Sequence, residues 1–356
     1  LNRKNHYKTG DRPFMILVGI LSGTKKKKRF SGDEQFFQMI QFELEQRGGL
    51  SFVFTPKMID EDFIEGYVFK NERWEKKIFP YPHVIYNRLP SRNAELSKPI
   101  QTFFNTLQSY HIPYFNKRFI TKWEQIKMLN DSSFFPDSER LTDSEKAYRF
   151  LKKHAFIYIK PVSGKVGKGI STLTYDDENN ILLKTQTNTK TINRDDVQQL
   201  FSLLLKQSHT EHLLQQGIHL RKWNEWKYDF RILLIKPHDT WKIIGIGVRA
   251  TSEHNITTHT LRGGTILPLE TIQSNVNINE LTIFALEIVK KLTEATPFLK
   301  ECSLDIGQDE DGHFWLFEVN TKPMTFDEKE IQKRRVQTLS DTFYFLKETK
   351  TLGEYP

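Results

Sequence analysis

Three side chains near the end of the sequence carry oxygen atoms at a spacing suited to a metal ion. Asp305 lies in the stretch CSLDIGQ, while Glu318 and Asn320 lie in the next apolar stretch, FWLFEVN, beyond the turn DEDGH. If the two stretches form a strand pair, Glu318 and Asn320 point to the same face and Asp305 lies opposite it. Such hard oxygen ligands suit Mg²⁺ held partly by phosphates. For Asp305 alone, a structural role in capping a turn stays open.

A second group combines positive charge with glycine in the stretch FIYIKPVSGKVGKGI. Lys160 ends an apolar strand, where an unpaired ammonium is costly, so it predicts an anionic partner. The glycines that follow let the backbone approach phosphate oxygens. Their spacing fits neither a P-loop nor a dinucleotide fingerprint, because a strand follows the loop, and a β-hairpin lid over phosphates remains. The loop residues are Gly164, Lys165, Gly167, Lys168 and Gly169.

The elements before these groups predict an α/β segment at the start of the chain. Residues 14–21 form an apolar run too short for a membrane span and are expected to be a buried strand. Residues 33–46 have helical spacing of Phe and Leu, and a hairpin and the strand in HVIYNRLPSR follow. Loops at the carboxyl ends of such strands often bind ligands, although solvated arginines are an equal alternative. The candidates for a substrate rim are Asn87, Arg88, Ser91 and Arg92.

The rest of the chain is expected to hold the two groups in β-rich units. Thr121 is predicted to cap a helix that carries Lys122. Another helix is predicted over 194–207, followed by the strands in HLLQQGI, YDFRILLIK and WKIIGIGVRA. A further helix over 279–294 precedes the carboxylate-bearing strand pair.

Length and composition restrict the class of protein. The chain has 356 residues, 27% of them charged and 38% hydrophobic, which is typical of a globular protein of two or three domains. Its formal charge of +8 suggests a polyanionic partner, but much of the excess comes from two short clusters, Lys25–Arg29 and Lys329–Arg335, so nucleic acid is the least favoured partner. Cys302 is the one cysteine, which excludes an intramolecular disulfide and favours a reducing compartment.

The order of these motifs resembles the ATP-grasp superfamily. The matching features are Lys122 on an entry helix, IKP with its Gly-rich loop, LLQQGI, DFR, and DIG followed by WLFEVNTKP. Glu318 follows Asp305 by thirteen residues, and this spacing and the Glu-x-Asn step agree with the metal motif of that family. The resemblance covers about residues 115–335. Within the superfamily, VIYNRLPSR, FITKW, GKGI and FWLFEVNTKP look closest to the YheC/YheD group of endospore coat-associated proteins of Bacillus-type bacteria.

This resemblance implies the fold class and the domain plan. The expected class is α/β (α+β), with an N-terminal α/β pre-ATP-grasp domain followed by an ATP-grasp fold of two subdomains. The expected units are the substrate-side domain 1–117, subdomain A with the lid loop 118–212, subdomain B with the Mg²⁺ site 213–338, and a C-terminal tail or helix 339–356.

The resemblance also implies where nucleotide binds. Lys122 and Lys160 would contact the phosphates and adenine of ATP, and the Gly-rich loop would close over the phosphates. The strand LLQQGI would lie beside adenine and read its edge through backbone groups, although a plain buried strand explains this stretch equally well. The residues implied on the strand are Gln215, Gln216 and Ile218.

Positive charge around the reacting phosphate is implied as well. Arg231 would face the γ-phosphate together with Lys160, because a planar guanidinium stabilises transferring charge. Asp229 would orient Arg231. Arg249 and Arg262 would bind phosphate or an acylphosphate, although surface ion pairs explain arginines equally well. The implied ligands of two Mg²⁺ ions are Asp305, Glu318 and Asn320.

Two departures from the superfamily pattern affect the expected activity. Ser303 stands where peptide ligases commonly carry arginine, and THTLRGG replaces a segment of the N-L-H-G-G type. The expected function is an ATP- and Mg²⁺-dependent, ADP-forming ligase that activates a carboxylate for attack by an amine or thiol. The alternative is a nucleotide-binding, catalytically weak spore-coat component. A cytoplasmic protein, possibly coat-associated, is expected, whose partners are a carboxylate, a nucleophile and, in the alternative, coat proteins.

Overall fold

A computed structural model describes residues 15–25, 28–129, 133–163, 168–207, 210–252, 255–258, 260 and 263–351. The described residues form three six-stranded sheets with helices packed against them, a mixed α/β architecture that confirms the expected fold class. Within the described chain, no helix combines the length and apolar character required to cross a membrane.

The first sheet has a parallel centre and an antiparallel edge. Its spatial order is β4-β3-β2-β1-β5-β6, with β1, β2, β5 and β6 parallel. The central strands β1, β2 and β5 are buried along their whole length, because helices cover both faces of the sheet. Their carboxyl ends meet at one edge, from which the loops after β1 and β5 emerge. The strands are β1 (Leu17–Leu21), β2 (Leu50–Phe54), β3 (Ile64–Lys70), β4 (Arg73–Phe79), β5 (Val84–Asn87) and β6 (Tyr114–Phe115).

The helices of this first unit follow from caps and apolar spacing. Asp33 Oδ1 accepts hydrogen bonds from the backbone of Gln35 and Phe36 and so begins α1. Two helices follow β5, because Pro99 occupies the first turn of α3 and fixes a new helix start there. The helices are α1 (Glu34–Gln46), α2 (Arg92–Glu95) and α3 (Lys98–Ser109).

The second sheet is antiparallel throughout and has its own hydrophobic core. Its order is β11-β10-β9-β8-β12-β7, and two helices cover one face. The boundary proposed at 212/213 falls within β12, which pairs with β8 along its whole length, so the sheet extends to Gln216. The elements are β7 (Ser138–Arg140), α5 (Ser144–His154), β8 (Phe156–Pro161), β9 (Ser171–Tyr175), β10 (Ile181–Lys184), β11 (Thr189–Ile192), α6 (Arg194–Lys206) and β12 (His212–Gln216).

The third sheet is also antiparallel, in the order β16-β15-β14-β17-β18, with β13 paired to β14. Thr121 and Glu124 form the predicted cap of α4, each side chain accepting from the other's backbone. The elements are α4 (Lys122–Leu129), β13 (Lys222–Trp223), β14 (Trp226–Ile235), β15 (Lys242–Ser252), β16 (Thr265–Leu267), α7 (Ile278–Ala295), β17 (Glu301–Gln308), β18 (Phe314–Asn320) and α8 (Lys329–Thr351).

A buried ion pair joins the first and third sheets through α8. Arg335 and Glu301 are both inaccessible to solvent, and Arg335 Nε donates to Glu301 Oε1 at 2.7 Å. Glu301 Oε2 accepts from the hydroxyl of Tyr86 at 2.6 Å, so β5, β17 and α8 meet at one carboxylate. Arg335 also donates to the carbonyls of Pro323 and Met324 and thereby fixes the segment after β18.

We expect Arg335→Ala to lower the free energy of unfolding by about 3–5 kcal/mol, because it leaves the Glu301 carboxylate buried without its cation. Urea denaturation followed by far-UV circular dichroism measures the change. The adjacent, exposed Arg334 provides a matched control, and Arg334→Ala should change stability by less than about 0.5 kcal/mol. Equal effects of the two substitutions would contradict this account.

Candidate functional site

A cavity of about 240 Å³ lies between the second and third sheets and contains most of the predicted site residues. The second sheet contributes its uncovered face, and the third contributes the ends of β14, β15, β17 and β18. Because the two groups of predicted residues come from different sheets, the fold brings them together across the cavity. The predicted residues that line it are Lys122, Lys160, Gln215, Gln216, Ile218, Asp229, Arg231, Arg249, Asp305 and Glu318.

The carboxylates lie in one cross-strand row of the third sheet. Arg231 on β14 is directly opposite Asp305 on β17, which is directly opposite Glu318 on β18. Asn320 does not line the cavity but donates from Nδ2 to Asp305 Oδ2 at 3.1 Å. Burial raises the pKa of Asp305, and Arg231 beside it acts in the opposite direction while Glu318 raises the pKa further. The row therefore has an excess of negative charge that a cation would relieve.

The donor set in this row fits Mg²⁺. Two carboxylates in register and a neighbouring amide supply only oxygen ligands for a small divalent cation. Glu318 Oε1 accepts from the ammonium of Lys122 at 2.6 Å, which leaves Oε2 as the oxygen for an ion. A bound divalent cation would also offset the cost that burial imposes on ionised Asp305.

Lys160 faces the carboxylates from the second sheet, across the cavity. Lys160 Nζ donates to Gln215 Oε1 at 2.5 Å and lies 4.9 Å from the centre of the Tyr158 ring. The pKa of Lys160 is lowered to about 8, chiefly by burial and also by the charge of Lys122, while the carboxylates of Glu318 and Asp305 oppose the shift. The ammonium thus has an amide as its hydrogen-bond partner, and a phosphate anion would stabilise its charged form.

The side chains of the two glutamines that end β12 form hydrogen bonds within the protein. Gln215, which is almost wholly buried, accepts from Lys160 and donates from Nε2 to Ser138 Oγ at 3.0 Å. Gln216 Oε1 accepts from the backbone nitrogen of Asp137 at 3.2 Å. Ile218 continues this strand along the cavity wall. Backbone groups and apolar surface are therefore what this strand offers to a ligand.

Asp229 and Arg231 occupy one face of β14 but have different partners. Asp229 accepts a hydrogen bond from the hydroxyl of Thr258, and burial raises its pKa to about 7. Arg231 packs its guanidinium 5.4 Å from the centre of the Phe326 ring. Within the described part of the chain, the buried Nε of Arg231 has no hydrogen-bond partner, so its N–H remains to be donated. The expected orientation of Arg231 by Asp229 stays a prediction.

Arg249 already holds a carboxylate. Its Nη1 lies 2.6 Å from Glu328 Oε1 and its Nη2 lies 3.1 Å from Glu328 Oε2, which is the bidentate geometry of a strong charge-assisted pair. The side chain of Arg249 is only 7% exposed. The predicted binding of an acylphosphate would require Glu328 to move or to share this guanidinium.

The lid loop is described only at its end. Lys168 and Gly169 are exposed, and Gly169 has a φ of +73°, a conformation that suits glycine. Four predicted residues lie outside the described chain: Gly164, Lys165, Gly167 and Arg262.

Several cavity residues escaped the sequence analysis. Tyr158 could have been found, since it lies two residues before Lys160 and shares its strand face. Phe317 could not, because a bulge in the pairing of β17 with β18 places it in the cavity beside Glu318. Gly307 makes room for this ring, since a Cβ there would lie 2.5 Å from it.

Most of the proposed substrate rim is structural. Asn87 is fully buried and donates to the carbonyls of Asn116 and Lys117, and Arg88 donates to the carbonyl of Pro323 at 2.7 Å. The hydroxyl of Ser91 caps α2. Arg92, the remaining member, has a 43% exposed side chain that pairs with Glu124.

Comparisons with known proteins agree with this geometry. The sequence model of a family described as YheC/D like ATP-grasp matches residues 111–347. The endospore coat-associated protein YheD of Bacillus subtilis (strain 168) is 32% identical over 86% of this chain and 72% of its own, and YheC of the same organism is 23% identical over 87% of this chain and 89% of its own.

A solved structure gives the corresponding comparison of folds. The ATP-grasp ligase PsnB, complexed with a phosphomimetic variant of a minimal precursor, Mg and ADP, has a TM-score of 0.53 and 15% identity. The alignment covers 93% of this chain and 98% of PsnB. The arrangement of the three sheets is thus that of an ATP-grasp protein, and the chain belongs to the YheC/D-like ATP-grasp family.

Proposed function

We propose that this protein is an ATP- and Mg²⁺-dependent ligase that activates a carboxylate as an acylphosphate and releases ADP. The proposal rests on one observation, that acidic and basic side chains face each other across a single cavity. Asp305 and Glu318 lie in register on the third sheet, and Lys160 approaches from the second. Nucleotide phosphates with Mg²⁺ are the ligand class that such opposed charges fit.

The residues of the chain act mainly by positioning and by charge. Asp305, Glu318 and Asn320 would hold Mg²⁺, which when bound neutralises phosphate charge. Lys160 and Arg231 would donate hydrogen bonds to phosphate oxygens, and the strand 215–218 would bind adenine. The γ-phosphoryl group would pass to the substrate carboxylate, and an amine or thiol would then displace phosphate from the acyl carbon. No nucleophilic side chain of the protein is required.

A second candidate function is nucleotide binding without efficient turnover, as a component associated with a spore coat. Two internal ion pairs favour it, since Lys122 engages Glu318 and Glu328 engages Arg249 in the cavity. The relatives YheD and YheC are both described as endospore coat-associated. Under either candidate, a requirement for ATP and the single buried Cys302 support residence in the cytoplasm, with coat association as the later fate in the second.

We expect purified protein to consume ATP with Mg²⁺ when supplied with a pool of amino acids, small peptides and cell metabolites, and to release ADP, with AMP measured separately. Glu318→Ala should reduce stimulated turnover about 100-fold or more, because a ligand of the cation that would neutralise phosphate charge is lost. Glu310→Ala removes an exposed carboxylate from the turn of the same strand pair and should leave the rate unchanged.

Equal rates for Glu318→Ala and wild type would refute the proposed site. Binding of ATP with Mg²⁺ but no stimulation by any pool component would favour the second candidate.

We also expect the affinity for ATP to fall as pH rises through about 8. Lys160 is charged below its pKa of about 8, and only the charged ammonium attracts phosphate, so affinity is retained below this value and lost above it. A fluorescent ADP analogue titrated from about pH 6.5 to 9.5 measures the profile. Lys160→Arg keeps the charge at every pH and should flatten it.

The carboxyl group of Asp229 ionises near pH 7 and would act in the same direction, since its negative charge repels phosphate. Asp229→Asn therefore serves as the second control. If this variant removes the pH dependence and Lys160→Arg does not, the assignment to Lys160 is wrong.

A further inference from the structure

Three exposed cations follow the end of β1, and we call Lys25, Lys28 and Arg29 the basic turn. The sequence from residue 25 to residue 29 is Lys-Lys-Lys-Lys-Arg, and Lys25 and Lys28 form an isolated antiparallel bridge. Lys25, Lys28 and Arg29 are exposed, and within the described part of the chain they form no ion pair. Cations held near one another without counter-charges gain from an anionic partner.

Both ends of this turn are fixed in the fold. Ser31 accepts at Oγ from the backbone nitrogen of Gly23 at 3.0 Å and donates from its own backbone nitrogen to the Gly23 carbonyl at 2.8 Å. Phe30 is 1% exposed and packs edge-on against Trp74 at 5.0 Å. The backbone on both sides of the basic side chains is therefore fixed before any partner binds, which reduces the backbone entropy lost on binding.

Two further cations lie beside the turn. Gly23 lies against Pro90 so closely that a Cβ would be 2.6 Å from the proline ring, and Arg92 follows two residues later. Arg92 and Arg118 are 43% and 47% exposed and share the single carboxylate of Glu124. We call the five exposed cations the cationic edge; its members are Lys25, Lys28, Arg29, Arg92 and Arg118.

The cationic edge borders the cavity through the segment that follows β18. Thr321 donates from its hydroxyl to the carbonyl of Arg118 at 3.1 Å. Thr325, which lines the cavity, donates to the carboxylate of Asp33 just beyond the basic turn. A ligand lying along the edge is thus led to the third-sheet side of the cavity.

At the cavity end of this path, an arginine of the protein already pairs with a glutamate of the same chain. Residues 321–328 run from the edge to Arg249, whose guanidinium takes the carboxylate of Glu328 in bidentate geometry. The planar fork of arginine matches a carboxylate with two parallel hydrogen bonds. A carboxylate therefore fits this wall of the cavity, and one from a bound peptide would have to share Arg249 with Glu328 or replace it.

We propose that the cationic edge docks an acidic peptide and leads its carboxylates to the cavity. This inference deepens the proposed function by naming the substrate class and rests on it for the reaction, but the docking step is independent of ATP. Glutamate and aspartate side chains serve both parts of the path, since they match exposed lysines at the edge and the arginine fork inside.

The test measures binding without nucleotide. The probe is a fluorescein-labelled synthetic peptide of alternating glutamate and glycine, about ten residues long, followed by fluorescence anisotropy at about 50 mM NaCl. The matched probes replace glutamate by glutamine, or use a single-stranded oligothymidylate of similar charge. The test variant is Lys25→Ala/Lys28→Ala/Arg29→Ala, and the control removes equal charge on α8 as Lys329→Ala/Lys333→Ala/Arg334→Ala.

We expect the glutamate peptide to bind the wild type at least about tenfold more tightly than the glutamine peptide, and the basic-turn variant to lose at least about fivefold of that affinity. The α8 variant should stay within about twofold of the wild type. Both variants alter exposed side chains, and an unchanged far-UV circular dichroism spectrum and urea denaturation midpoint check that each is folded.

Three results would overturn the proposal: no preference for glutamate over glutamine, an equal loss in the α8 variant, or tighter binding of the oligothymidylate through the same turn. The last would assign the edge to nucleic acid. Failure of the ligase itself is a separate result, because it leaves ATP turnover absent while peptide binding still depends on the basic turn.

Discussion

Two buried carboxylates side by side are the constraint on which the rest of the site depends. Asp305 and Glu318 are forced together by the pairing of β17 with β18, and burial makes their joint ionisation unfavourable. The nearby cations offset this cost. Arg231 comes from the adjoining strand, Lys122 from the start of a helix, and Lys160 from the opposite sheet. The three sheets thus serve to hold charges of opposite sign across a cavity that a metal nucleotide would complete.

The same carboxylate-bearing strand is supported from behind by a second buried charge. Glu301 begins β17, and its contacts with Arg335 and Tyr86 join the strand to α8 and the first sheet. Arg335 and Arg88 both donate to the carbonyl of Pro323, so the segment after β18 is fixed by α8 and by the N-terminal unit. The conformation of the cavity wall therefore depends on a domain that contributes no predicted nucleotide contact.

Local sequence patterns were enough to predict much of this architecture. The rest depends on packing between residues that are distant in the sequence. Alternation along a strand was enough to place Asp305 opposite Glu318, and the Thr121 cap was readable from its own side chain. The bulge that turns Phe317 into the cavity was not readable, because it depends on pairing between strands. The pairing of Arg249 with Glu328 was missed for the same reason, since 79 positions separate the partners. Arg88 looked like a surface residue because the segment it supports is distant in sequence.

The distribution of hydrophobic cores bears on how the molecule can deform. Apolar side chains of the first and third sheets mix in a single core around α8, whereas the second sheet packs only against its own helices. Rotation of the second sheet about the strand end near Gly217 would break few apolar contacts, whereas separating the first sheet from the third would expose a shared interior. Lys160 and Gln215 would move together with the second sheet. Asp305, Glu318 and Arg249 would keep their positions in the third sheet. A ligand bound to the third-sheet wall would therefore keep its position while the second sheet moves.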